Sequence, residues 1–491
     1  MTIEIGITGF GGYVPKRRLS RASIFEANGW FNPALRSLAK GERAMANWDE
    51  DSVTMGVEAG RDCLQGSKEI DSLYFASTSC TYADRLNAAV VARALNLNQE
   101  MRALDITSSQ RAGTSALISA LQDLNHYQAN QNLVVAGEKR KSKAGSVQEM
   151  RFGDGAAAFK VGAGNDTESG SEPILANFLG SISTTSDFVD HFRSSSDEFD
   201  YTWEERWVRD EGFIKQVPPV LKALLQKAEI SPNDIDHFIL PCPFPRTASK
   251  IAKASGIDPQ AVSDDLELVL GDTGAAHPLV LLAHTLEHAK PGQKIVLAVF
   301  SGGVDALIFE TTAALSKAIF PCGISGSLKN SIQEKNYMRW LAFNDLVIQD
   351  KGMRAEKDHK AALTVQWRKQ DMLSGLVGGR CSKCETVQFP KTLKCVNPEC
   401  DGNDTQESWS FAEEKGEILS WSADHLTYTP DPPHHYGMVN FAGGGRFMTD
   451  FTDVVSGSID SGTPMKMVFR IKNKDQLRGS TQYFWKATPI S

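Results

Sequence analysis

The chain has 491 residues, 41% hydrophobic and 23% charged, which gives length for about two to four domains and excludes disordered, collagen-like and low-complexity classes. A formal net charge of −8 excludes a broad nucleic-acid or anionic-membrane surface, since either needs a basic face to neutralise phosphates. No apolar run approaches the roughly 20 residues of a membrane span, and "MTIEIGITGFGGYVPKRRL" alternates like a strand instead of following signal-peptide order, so a cytoplasmic location is expected.

Up to about residue 315, short apolar runs alternate with helical ones. "SLYFAST", "QNLVVAGEK", "AAAFKVGA", "IDHFILPC" and "KIVLAVFSGG" read as strands; "EDSVTMGVEAGRDCL", "LNAAVVARALNL", "AGTSALISALQDLNHY", "PPVLKALLQKAE" and "HPLVLLAHTLEHAK" have helical spacing. This alternation predicts an α/β fold, and near-continuous apolar strands predict sheets covered on both faces. "ALDITSSQRAGTSALISALQDL" before "NLVVAGEK" echoes "ELVLGDTGAAHPLVLLAHTLEH" before "KIVLAVFSGG": each reads strand, small-residue corner, helix, strand, as an internal duplication with its corners facing one centre would. Next, "IQEKNYMRWLAFNDLVIQDKGMR" reads as a helix within a linker, and short alternating strands after the cysteines ("GEILSWSADHLTY", "YGMVNFAGGGRFMTDFTDV", "PMKMVFRIKN") read as a small barrel.

Four of the eight cysteines, Cys63, Cys80, Cys242 and Cys322, are scattered. The others form Cys381-x2-Cys384 and Cys395-x4-Cys400, two short loops that bring four thiolates onto one tetrahedral ion. With every ligand supplied by the chain the ion is structural; zinc is expected, and iron is the other metal such a site holds.

"GGYVPKRRL", "GERAMANWDEDSVTMGVEAGRDCL", "SQRAGTSAL", "FGDGAAAFKVG", "GSISTTSDFVDHFR" and "FSGGVDAL", in this order, resemble the hydroxymethylglutaryl-CoA synthase branch of the thiolase superfamily, in its archaeal-type form. The cysteine cluster and barrel are similar to the zinc-ribbon/OB-fold proteins that accompany many thiolases. The resemblance implies a five-layered αβαβα fold of two similar halves, 1–165 and 166–315, then a helical linker (316–377), a rubredoxin-like zinc ribbon (378–405) and an OB-type barrel (406–491). It also implies coenzyme A thioesters as substrate and a homodimer, or a larger complex with a thiolase-type partner.

That family uses a Cys nucleophile, a Glu acid/base and a His that orients the acceptor. In this chain Gln110 stands at the Cys, Thr78 at the Glu and Pro241 at the His, while Asp272 replaces the Asn of a Gly-Asn-Thr motif. Neither an amide nor an unactivated hydroxyl holds an acyl group as a thiolate does. What survives is the corner itself, whose backbone N–H groups and helix N-terminus stabilise a thioester enolate. An aldol or retro-aldol reaction on a 3-hydroxyacyl-CoA needs only that and one base. Asp272 and His277 are the candidate bases, with helix capping the competing role for each, and Tyr82 is a weaker donor. Two other readings stand beside this one: a condensing enzyme whose nucleophile is Cys80, Cys242 or a partner's, and an acyl-CoA-binding scaffold for an active thiolase-type partner. "KRKSK" (139–143) and "KRR" (16–18) are read as solvated loops or CoA-phosphate contacts, His284 and His288 as helix surface, His434 and His435 as barrel loop, and "AGGGR" (442–446) as a hairpin turn.

Overall fold

A computed structural model describes residues 4–126, 130–164, 172–360 and 362–490. The expected 165/166 boundary lies outside the described residues. The chain forms two compact units: Met1–Ala46, Asp51–Ala89 and Asn98–Leu341 make the first, and Asn47–Glu50, Val90–Leu97 and Ala342–Ser491 the second.

In the first unit nine strands form one mixed sheet: β1 (Glu4–Tyr13), β2 (Ser72–Ala76), β3 (Arg102–Ile106), β4 (Gln131–Glu138), β5 (Gly155–Gly164), β6 (Ala176–Thr185), β7 (His237–Ile239), β8 (Lys294–Phe300) and β9 (Gly303–Thr311), in the order β7-β8-β9-β6-β1-β5-β4-β2-β3. Among the described residues, the two halves of this sheet join where Gly6 and Ile7 of β1 meet Asn177 and Ala176 of β6. The helices that cover it include α1 (Ser52–Leu64), α2 (Ala112–His126), α3 (Lys215–Lys227), α4 (Thr247–Ser255) and α5 (His277–His288).

The period-2 alternation of side chains sorts these helices into layers. On β8, Ile295, Leu297 and Val299 enter one core with α2 and α5, while Val296, Ala298 and Phe300 enter a second with α3 and α4. In the other half Tyr74, Ala76, Val134 and Ala136 join the α2/α5 core, and α1 packs on the opposite face, where Gly56 lies against Val135 and Phe75. The layers are therefore α1, half-sheet, α2 with α5, half-sheet, and α3 with α4, the five-layered thiolase-like arrangement.

Two local expectations are corrected. "ELVLG" is a turn instead of a strand: Leu266 takes a left-handed φ of 55°, and the Val269 and Leu270 N–H groups both donate to its carbonyl. The stretch expected as one helix from 332 is a strand (Ile332–Glu334), a short helix (Tyr337–Phe343) and a separate 3-10 turn (Met353–Ala355). Asp345, at φ 56°, ends the helix, because a left-handed residue cannot continue it.

In the second unit, strands Val377–Cys381, Val387–Gln388 and Gln406–Ser410 form a ribbon. Five more, β10 (Gly416–Asp424), β11 (His434–Phe441), β12 (Arg446–Asp450), β13 (Pro464–Asp475) and β14 (Ser480–Pro489), form an antiparallel sheet in the order β12-β11-β10-β13-β14. "AGGGR" turns β11 into β12 as expected. The two histidines are not in a loop: both lie on β11, with His435 facing inward and His434 Nε2 3.1 Å from Asp450.

Candidate active site

The corner before α2 is fixed from below by one buried carboxylate. Asp305 of β9 pairs with Arg111 at 2.9 Å and accepts hydroxyl hydrogen bonds from Thr114 and Ser115, each at 2.9 Å. Arg111 also donates to the carbonyls of Thr184, Ser301 and Gly302. Ser108 takes a left-handed φ of 72°, a strained conformation for a residue with a Cβ. The result is a rigid corner with Gln110 at its tip.

The second corner, 272–277, packs directly onto the first. A Cβ on Gly113 would strike the Ala275 carbonyl, and Gly274, at φ 56°, leaves no room for a side chain between Gln110, Arg140 and Glu138. The two small-residue corners thus meet, as their echo in sequence predicts.

Gln110 lies between two hydrogen-bonding systems. Thr78 donates both its N–H (3.0 Å) and its hydroxyl (3.1 Å) to Glu138 Oε2, so its oxygen accepts from Gln110 Nε2 at 3.5 Å. On the other side Gln110 Nε2 is 3.3 Å from His191 Nε2, and His191 Nδ1 is 3.2 Å from Asp190. The Thr78 bond assigns Gln110 Nε2 as a donor, and Asp190 assigns the ring proton to Nδ1, so His191 Nε2 presents a lone pair. Burial opposes the imidazolium, but the hydrogen bond and charge of Asp190 outweigh it and hold His191 above its ordinary value; burial likewise opposes the Asp190 carboxylate, which His191 nonetheless holds below its own.

Two further carboxylates are driven apart. Burial pushes Glu138 up, against the pull of Arg140 and of its Ser79 and Thr78 partners. Burial acts in the same direction on Asp272, but Arg140, 3.0 Å away, together with His277 and the Gly274 N–H, brings it down to about 2. The side chain of Asp272 is 40% exposed to the cavity although it lies deep among protein atoms. Arg140 is itself buried and held above its ordinary value: burial works against it, and Asp272, Glu138 and Asp200 prevail.

These groups border a cavity of about 340 Å³ lined by Gln110, His191, Arg140, Asp272, His277 and Pro241, among others. Thr78 and Glu138 sit behind Gln110, outside the lining. His277 lines the cavity but is buried; its Nδ1 faces the Thr273 hydroxyl at 3.1 Å, and burial lowers its pKa. Tyr82 is not part of the lining: its backbone is bonded to the Asn87 side chain and its ring lies under Arg85. Cys242 lines the cavity and Cys80 does not, and burial pushes both thiols up to about 12.

The basic stretches differ from expectation. Arg17 and Arg18 are buried, Arg17 on Glu334 at 3.1 Å and Arg18 on the carbonyls of Pro15 and Ser327; in "KRKSK", Arg140 turns into the site. Sequence reasoning missed His191, Asp190 and Glu138. Glu138 carried one usable signal, its place at the end of a parallel apolar strand, where α/β sheets bind ligands. On α5, Glu287 is committed to the backbone N–H groups of Ile324 and Ser325, and His288 Nδ1 to the His284 carbonyl.

In the second unit the sulfurs of Cys381 and Cys400 are 3.9 Å apart and those of Cys384 and Cys395 3.6 Å, with all four within 4.8 Å of one another. Metal–sulfur bonds of about 2.3 Å in a tetrahedron place sulfurs about 3.8 Å apart, so the cage fits a structural zinc ion.

Hydroxymethylglutaryl-CoA synthase of Caldivirga maquilingensis is 27% identical over 355 residues, covering 70% of this chain and 99% of the relative; that of Aeropyrum pernix is 29% identical over 320 residues, covering 64% and 86%. A crystal structure of HMG-CoA synthase complexed with CoA superposes with a TM-score of 0.58 at 18% identity, covering 73% of this chain and 94% of that one. Residues 225–310 match the C-terminal model of 3-oxoacyl-[acyl-carrier-protein] synthase III. The chain has a thiolase-like fold and is similar to hydroxymethylglutaryl-CoA synthases. It carries in addition a match to the ChsH2 rubredoxin-like zinc ribbon at 375–405 and to the ChsH2 C-terminal OB-fold at 409–470. Among the described residues no helix is long and apolar enough to cross a membrane.

Proposed function

We propose that this chain is an acyl-CoA-dependent carbon–carbon bond enzyme of the aldol or retro-aldol type, acting on a 3-hydroxyacyl-CoA through an enolate and without an acyl-enzyme. The observation that carries the reading is Gln110 at the tip of the corner, donating toward the lone pair of an Asp190-oriented imidazole at 3.3 Å. A general base and a polar anchor are present where the relatives' family places its nucleophile, and the neighbouring thiols Cys80 and Cys242, raised to about 12, are almost fully protonated at neutral pH. In the retro-aldol direction His191 Nε2 takes the hydroxyl proton, the Cα–Cβ bond breaks, and its electron pair enters the thioester enolate. The Gln110 amide, at the cavity lining, stabilises the developing oxyanion. The imidazolium then returns the proton to Cα, so no oxidant or second substrate is consumed. Asp272 is assigned to positioning Arg140 in place of base catalysis, because a carboxyl group near 2 accepts a proton poorly at neutral pH.

Incubating the intact chain with 3-hydroxyacyl-CoA thioesters and following release of aldehyde or ketone tests the reading, with the protein mass recorded in parallel. Turnover without a mass increase is expected. A stable acyl adduct on a cysteine outside 381–400 would replace it with the displaced-nucleophile reading, and tight thioester binding with no turnover across the panel would replace it with the scaffold reading.

A further inference from the structure

The cavity wall specifies more than the reaction. A π-helical turn, Val208–Ile214, directs Val208 and Phe213 into it, and Phe213 packs with Phe300 (4.8 Å between ring centres, 54°) and edge-on with Phe244 (5.8 Å, 85°). Phe152, under the Arg140 guanidinium, and Trp203 complete an aromatic wall. At about 340 Å³ the space lies at the low end for small-molecule sites, which suits a ring-sized group better than a long chain or a fused ring system.

The charges point the same way. The lining holds two guanidinium groups, and both are engaged: Arg140 by Asp272 (3.0 Å) and Asp200 (3.8 Å), Arg151 by Glu205 (3.7 Å). Three more carboxylates line it. Asp190 is hydrogen-bonded to His191 and Glu267 is paired with Arg21 (3.7 Å), while Asp265 has no ion-pair partner among the described residues. Six carboxylates against two guanidiniums leave no cation for an acyl group that brings a carboxylate of its own. Such a group would be desolvated next to like charges.

From this wall we infer that the C3 substituent of the acyl-CoA is an uncharged, apolar, ring-sized group, an aromatic ring above all, and not the carboxylate-bearing chain of a hydroxymethylglutaryl thioester. The inference rests on the proposed reaction for its chemistry and on the cavity alone for its specificity. In the balanced step, 3-hydroxy-3-phenylpropanoyl-CoA loses its hydroxyl proton to His191 and its Cα–Cβ bond, giving benzaldehyde and, after the proton returns to Cα, acetyl-CoA.

Two thioesters without the 3-hydroxyl, 3-phenylpropanoyl-CoA and glutaryl-CoA, isolate binding from chemistry. Titrated calorimetrically into the full chain, the phenyl thioester is expected to bind at least about tenfold tighter. Equal affinities, a preference for glutaryl-CoA, or no detectable binding of either overturns the inference. Turnover of 3-hydroxy-3-phenylpropanoyl-CoA to benzaldehyde is measured separately: the binding preference without that turnover leaves the substrate class standing and removes the aldol reading.

Discussion

The two small-residue corners echo each other in sequence and meet in the structure, yet they handle their polar side chains in opposite ways. The first is pinned from beneath by Asp305, which leaves the Gln110 amide free to face His191 and the cavity. The second also borders the cavity, but its polar groups are engaged by neighbours: Asp272 by Arg140, His277 by Thr273. The two frames echo each other in sequence, and the difference lies in which one is held from beneath by a buried carboxylate. Chemistry is assigned to the first corner, and the second is assigned to supporting it.

Removing the imidazole is the most direct way to break that assignment. His191→Ala is expected to lower the retro-aldol kcat/KM by about 10³-fold, within the range of a lost general base. If His277→Ala costs as much and His191→Ala does not, the roles of the two corners are reversed. Asp190→Asn should cost less, about 10²-fold, and it carries a signature that misfolding lacks. Losing the carboxylate lowers the His191 pKa, so the acid limb of the kcat/KM profile moves to lower pH even as the plateau falls. An unmoved limb would show that another group titrates.

How far the sequence reveals all this depends on how local each feature is. The zinc cage lies within twenty residues, so its spacing alone identifies it. The layered fold is legible because apolar periodicity is a local signal, and the turn at "ELVLG" misleads because an apolar run without alternation does not distinguish strand from buried turn. The site is assembled from long range. Gln110 meets His191 from 81 positions away and Thr78 meets Glu138 across 60, and neither pairing leaves a mark in the intervening chain. The buried arginines hide for the same reason. Arg17 reads as solvated until Glu334, 317 residues on, is seen to meet it.

The two carboxylates behind the corners sharpen the comparison through stability. Asp272 is folded at about 2 against an ordinary value near 3.9, so its contribution is full above pH ~4 and is lost as pH falls toward 2. Asp272→Asn should flatten that part of the Tm profile and cost less than about tenfold in rate, as expected for a positioning residue. Glu138 is shifted the other way. Its folded value lies above that of the unfolded chain, so its contribution is full below pH ~4.3 and declines as pH rises through the folded value. Glu138→Gln keeps an acceptor for Thr78 and should gain in Tm relative to the parent protein as pH rises. Parallel pH slopes for the two variants would contradict the opposed environments.

The smallest expected effect falls on Tyr82, the weaker donor suggested by sequence. Its backbone is held by the Asn87 side chain, whose amide and N–H are both tied to Asp105, and the Arg85 guanidinium lies 4.6 Å from its ring centre. Tyr82 does not line the cavity, so Tyr82→Phe should stay within about twofold in kcat/KM. A loss of about tenfold or more would place the phenol in contact with substrate and move the proton donor from the His191 side of Gln110 to the Thr78 side. The division of labour between the corners would survive that result, because Tyr82 belongs to neither, but the path of the proton would not.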